Sequence, residues 1–120
     1  MKIAVPVEST ETDPVVCSSF GRAAYFLIHD EETGSIQTVE NTASQSAGGA
    51  GIKAAQTVAD CGAEVLLTPQ CGENAAKVLL SSGLKLYKTK PGLSAMGNVQ
   101  AFKKGELEEL YEIHEGFHRH

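Results

Sequence analysis

A chain of 120 residues is sized for one domain with its own core, needing neither disulfides nor a structural metal to hold it. It is 42% hydrophobic and 21% charged, the mix of an ordinary globular protein. A net charge of -5, with ten basic residues scattered rather than clustered, speaks against a nucleic-acid or anionic-membrane partner.

Lys2–Val7 (KIAVPV) reads as a buried first strand, too short for a signal or a membrane span, and points to a cytoplasmic protein. Glu8–Arg22 is polar and rich in Ser and Thr, a loop long enough to suspect of function. Ala23–Asp30 and Ile36–Glu40 are strands, joined as a hairpin by the turn Glu32-Thr33-Gly34-Ser35. Then Gln45–Gln56, QSAGGAGIKAAQ, sets Gly48, Gly49 and Gly51 before a helix that runs from Ile52 to a stop at Gly62. Ile52, Ala55, Val58 and Ala59 share its inner face. Clustered glycine costs conformational entropy, so this loop either lets an anionic or bulky ligand approach the backbone or makes a structural entry turn. It contains no GxxxxGK[ST], and no GxGxxG follows a strand, so a nucleotide fingerprint is missing.

Ala63–Thr68 is an apolar strand closed by Pro69, the pattern of a strand buried on both faces. Glu73–Ser82 is the second helix, with Ala75, Val78, Leu79 and Ser82 on one stripe and Gly83 at its end. Lys85–Lys88 is a short strand, and Ser94–Lys104 a third helix capped by Ser94 and stopped by Gly105. Residues 1–105 thus form a single α/β domain, and residues 106–120 an acidic, then His-rich, tail. His114, His118 and His120 have metal-friendly spacing, but such a run is equally a solvated terminus.

Strands separated by a helix should be parallel and those in the hairpin antiparallel. A mixed five-stranded sheet covered by helices satisfies every element, and if strand one pairs with strand two on one side and strand four on the other its order is 3-2-1-4-5, with strand two antiparallel. Its switch point lies between strands one and four, where ligands gather in open α/β sheets. The loops there are Val7–Arg22, with Cys17, and Thr68–Asn74, with Cys71. Cys71 precedes a helix start, where free amides and the dipole favour a thiolate. Cys61, at the far end of the first helix, reads as filler, Phe20 as core, and His29 as a satisfied structural histidine. Arg22 either holds an anion with its fork of donors or pins the long loop.

MKIAVPV at the start, SFGRAAYF (Ser19–Phe26), SAGGAGIKAAQ and TPQCGENA together resemble the dinitrogenase iron–molybdenum cofactor biosynthesis family, the NifB/NifX/NafY-type domain. The resemblance implies a three-layer α/β/α, ribonuclease-H-like fold. It also implies a non-enzymatic carrier or scaffold for an iron–sulfur or molybdenum–iron–sulfur cluster, working with a cofactor-assembly protein. Many members have His directly before Phe-Gly-Arg, where this chain has Ser19. Soft thiolates suit such clusters, so Cys17 and Cys71 become the candidate metal ligands. Ser19, Arg22, Gly48, Gly49, Gly51 and Gly72 complete the candidate cofactor site.

Two thiolates fall short of the roughly four protein ligands a cluster takes. A weak homodimer, the tail histidines or the cluster's own ligands would have to complete the set; otherwise the chain is a monomer. The alternative is a regulatory module of the same fold that binds a small anionic ligand or a protein and has lost the cluster, a reading Ser19 supports. Nuclease chemistry needs carboxylates clustered on metal ions, and KIAVPV carries none.

Overall fold

A computed structural model describes residues 1–45 and 48–110. The strands are β1 (Lys2–Val7), β2 (Tyr25–Asp30), β3 (Ile36–Glu40), β4 (Val65–Thr68) and β5 (Lys85–Lys88). The helices are α1 (Ala50–Asp60), α2 (Glu73–Ser81) and α3 (Ala95–Lys103), with short 3-10 turns at Phe20–Arg22 and Thr42–Gln45. The sheet runs β3-β2-β1-β4-β5, the order expected from the hairpin and the helical crossovers. β2 is antiparallel to β1 and β3, while β1, β4 and β5 are mutually parallel.

Alternation along each strand splits the core in two. Ala4, Phe26, Ile28, Leu66 and Leu86 face α1 and α2, meeting Ala54, Ala55, Val58, Ala75, Ala76 and Leu79. Ile3, Val5, Val7, Leu27, Val65 and Leu67 face the other way and meet Ala95, Val99 and Ala101 of α3. The result is a sheet between two helical layers.

Three expectations need correction. The first helix begins at Ala50 rather than Ile52, because Gly49 takes a left-handed cap (φ 68) and turns the chain into the helix early. Its buried stripe is Ala54, Ala55 and Val58, leaving Ile52 43% exposed. His29 is buried but not satisfied: neither ring nitrogen has a hydrogen-bond partner, and Nε2 lies 3.9 Å from Glu31 Oε1.

Polar groups fasten the connections. The loop after β1 is closed at its base by Glu8 N–H donating to Val15 O (3.1 Å) and Cys17 N–H to Pro6 O (2.9 Å). Its tip reaches α3, where Asp13 accepts from Ser94 Oγ (2.8 Å) and the Met96 amide (3.0 Å). Ser94 Oγ accepts from the Gly97 amide at 3.1 Å, the cap expected. Residues 106–110, assigned to the tail on sequence, lie along the outer edge of β5. Leu107 is buried, Lys88 N–H donates to Glu108 O (2.8 Å), and Leu110 N–H donates to Leu86 O (2.9 Å). His114, His118 and His120 fall outside the described residues. Among those described, no helix is long and apolar enough to cross a membrane.

Candidate functional site

Three segments meet outside the carboxyl ends of β1 and β4: the Phe20–Arg22 turn, the start of α1, and the β4–α2 connection. They enclose an open cleft of about 530 Å³ walled by residues 19–22, 49–52 and 70–75. This is the switch point that the strand order nominates. Ser19, Arg22, Gly49, Gly51, Cys71 and Gly72 line it together, whereas Gly48 and Cys17 do not. Gly21, Ile52, Gln70 and Asn74 also line it, although none of them is among the site residues expected from the sequence.

The glycines divide by role. Gly51 lies inside α1, and a Cβ placed on Gly21 would sit 3.1 Å from its Cα and N. A Cβ on Gly51 would lie 3.5 Å from Ala75 Cβ of α2. The Phe20–Arg22 turn therefore rests directly on the first turn of α1, and α1 packs close against α2. Gly48 has open space around it.

Asn41, at 1% exposure, sets the turn in place. Its Nδ2 donates to Gly21 O (3.2 Å) and Ala23 O (2.8 Å), and its Oδ1 accepts from the Ala43 amide (3.1 Å). Arg22 Nη1 donates to Ser44 O at 2.9 Å. The guanidinium thus lines the cleft while pinning the second 3-10 turn. Phe20 is 3% exposed and its ring centroid is 5.4 Å from that of Phe26, a core position as expected.

Two helices begin at this cleft without a side-chain cap, α1 on Gly49 and α2 on Gly72. Their intrahelical ladders open with Lys53 N–H to Gly49 O (3.0 Å) and Ala76 N–H to Gly72 O (2.9 Å). The amides ahead of these have no helical carbonyl to reach and lie at the cleft wall. Glu73 sits in the first turn of α2, 3.7 Å from Lys77.

The thiols do not carry the charge expected of them. Cys71 is 2% exposed, and burial pushes its thiol up to about 11, outweighing the favourable helix start. Burial also raises Cys17, with the Glu8 carboxylate adding to it, and Cys17 Sγ lies 3.5 Å from Ser19 O. Both belong to the core beneath α1 and α2. Their loops are tied where Gln70 Nε2 donates to Ser18 O at 3.0 Å. Cys61 packs half-buried at the end of α1, consistent with filler. Among the described residues, no group of three or more His, Cys, Asp or Glu side chains gathers to hold a metal ion.

The family model described as dinitrogenase iron-molybdenum cofactor matches residues 1–105. The apo form of the orange protein from Desulfovibrio gigas is similar, at 36% identity over 95% of this chain and 96% of that one, with a TM-score of 0.89. So is an NMR structure of a Thermotoga protein provisionally called NifB and placed in the DUF35 family. It is 34% identical over 95% of this chain and 97% of its own, with a TM-score of 0.83. No curated protein matches.

Proposed function

The chain belongs to the dinitrogenase iron–molybdenum cofactor family, and from that premise we propose that it is a non-enzymatic carrier or scaffold. Its cargo is an iron–sulfur or molybdenum–iron–sulfur cofactor species, passed on to a cofactor-assembly protein. The layered sheet supports the ribonuclease-H-like label for the fold that carries it.

One observation carries this reading: two helices start, uncapped, on the same cleft. Each helix N-terminus presents roughly half a positive charge and unpaired N–H donors. Gly49 and Gly72 leave no side chain between those amides and a ligand, so cargo sulfides can come within hydrogen-bonding distance of the backbone. Arg22 adds a fixed positive charge and Ser19 a hydroxyl on the facing wall, with Gly48 at the approach. Such donors fit a compact polyanion, and the cleft of about 530 Å³ has room for one.

Cys71, at the wall, is the thiol positioned to bond a cargo metal. It is neutral until then, since a metal deprotonates a coordinating thiol outright. Cys17 stands behind Ser19 as the second soft donor. The remaining ligands come with the cargo or from a second copy, the chain being a monomer or weak homodimer. A second reading, a module for a small anionic ligand with no cluster, is favoured by the neutral buried thiols.

The test is anaerobic reconstitution of the full chain with iron and sulfide, and in parallel with thiomolybdate, followed by visible absorption and metal per chain. A coloured, stoichiometric complex is expected. If Cys17→Ser/Cys71→Ser abolishes it, the thiols are ligands; if the double variant stays coloured, the amides hold the cargo alone. A wild-type protein that remains colourless sinks the carrier reading and leaves the second.

A further inference from the structure

The two edges of the sheet are not alike. Beyond β5 lie residues 106–110, where Glu108 O accepts from Lys88 N–H and Leu110 N–H donates to Leu86 O. β3 forms the opposite edge and, among the described residues, pairs with β2 alone. The ladder with β2 decides which of its groups point outward. Asp30 N–H donates to Ser35 O (2.9 Å) and Asn41 N–H to Ala24 O (3.0 Å), one bond at each end of the pairing. Bonded residues alternate along an antiparallel pair. Gln37 and Val39 therefore bond inward to β2, while the N–H and C=O groups of Ile36, Thr38 and Glu40 point away from the sheet. All three residues are exposed. The register runs unbroken from Tyr25↔Glu40 to His29↔Ile36, so no bulge turns this edge aside. IQTVE holds neither Lys nor Pro, the residues that usually blunt an edge, and its Ile, Thr and Val favour strand pairing.

We propose that β3 is a homodimer interface. Two copies pair their β3 strands antiparallel about a two-fold axis at Thr38, joining two five-stranded sheets into one continuous sheet. The strand is complementary to itself. Its three outward-facing residues are centred on Thr38, so the axis sets Ile36 against Glu40 of the second copy and Thr38 against its own equivalent. That register makes about six backbone hydrogen bonds. Glu40 is the only charge on the strand, and it never meets its like. Thr38 beside Thr38 is a favourable cross-strand pair. Sliding the pairing by two residues leaves outward groups unpaired at both ends, and sliding it by four sets Glu40 against Glu40. A strand from another protein would have to bring this length and spacing, whereas a second copy brings both.

The inference goes beyond the carrier reading and does not rest on it. It does constrain the assembly. β3 runs parallel to β1, because β2 is antiparallel to both, and the two-fold axis reverses strand direction. The two clefts then open at opposite ends of the joined sheet, and neither copy reaches into the cleft of the other.

Equilibrium sedimentation of the full chain tests this. One short strand per copy makes a weak interface, so loading runs up to about 1 mM. Salt of about 0.15 M screens the repulsion between copies of net charge -5. A monomer–dimer equilibrium is expected. Thr38→Lys and Thr38→Glu each place like charges face to face across the axis and should raise the dimer Kd about fivefold. An equimolar mixture of the two variants sets opposite charges there and should recover wild-type association. Amide exchange on the unaltered chain gives an independent readout. Ile36, Thr38 and Glu40 should slow as concentration rises, while Gln37 and Val39 are slow throughout.

Wild type that stays monomeric at every loading overturns the proposal and leaves the edge to a strand of a different protein. A dimer that Thr38→Lys does not weaken, or a mixture no tighter than either variant alone, overturns it too. Ile36, Thr38 and Glu40 amides already slow at the lowest loading would mean that residues 111–120 cover the edge within one chain, which also overturns it. No cargo enters these readouts, so failed reconstitution with iron and sulfide sinks the carrier reading alone.

Discussion

Replacing Gly21 with Ala tests whether the cleft is built on a backbone-to-backbone contact. The added Cβ would lie 3.1 Å from Gly51 Cα and 3.1 Å from Gly51 N. Carbon atoms pack best at about 3.5–4.0 Å, so one wall must move by several tenths of an ångström. Neither wall gives easily, because one is the hydrogen-bonded first turn of α1 and the other is clamped by Asn41. Overpacking of this kind costs about 1–3 kcal/mol. For a chain of this length the expected fall in Tm is roughly 4–12 °C, read by calorimetry or circular dichroism. Gly48→Ala is the matched control, since nothing lies within 4 Å of its added Cβ; its effect should stay within about 0.5 kcal/mol. Equal destabilisation by both substitutions, or none by Gly21→Ala, would refute the argument that Gly21 and Gly51 are glycine because they touch.

Three more outcomes follow from the same geometry. Burial holds the Cys71 thiol at about 11 against an ordinary 9.0, so the unfolded chain loses this proton first. Stability present below about pH 9 should therefore decline towards pH 11, by on the order of 2–3 kcal/mol. Urea midpoints of wild type minus Cys71→Ala across that range isolate the slope, and parallel curves would show that the burial does not act this way. Asn41→Ala strands two carbonyls and one amide in the interior and should cost at least about 2 kcal/mol, measured by denaturant unfolding. Asp13→Ala removes two acceptors from the start of α3 and should cost about 0.5–2 kcal/mol, with amide exchange rising first at Met96.

What the sequence made legible was whatever is local. A two-residue period, glycines after helices and a tight hairpin were enough to order the five strands, and the order located the cleft. Gly62, Gly83 and Gly105 end their helices with positive φ, as their positions implied. What stayed hidden depends on partners far along the chain. Asn41 holds carbonyls 18 and 20 residues away, and Asp13 caps a helix 81 to 83 residues on; neither has a local pattern to betray it. Gly21 looked like part of a short Phe-Gly-Arg word until its contact with Gly51 was visible. The thiolate expected at Cys71 failed for a different reason: the sequence showed the helix start that favours charge but not the core that opposes it more strongly.

The strip of chain after α3 has a consequence for how the domain is delimited. The family match ends at residue 105, yet Glu108 and Leu110 take up hydrogen bonds on the flank of β5. A bare flank is an adhesive surface, ready to accept a strand from any neighbouring chain. Cutting the protein at the family boundary would strip away this hem and leave a sheet able to grow outward, so the smallest well-behaved unit is longer than the unit of resemblance.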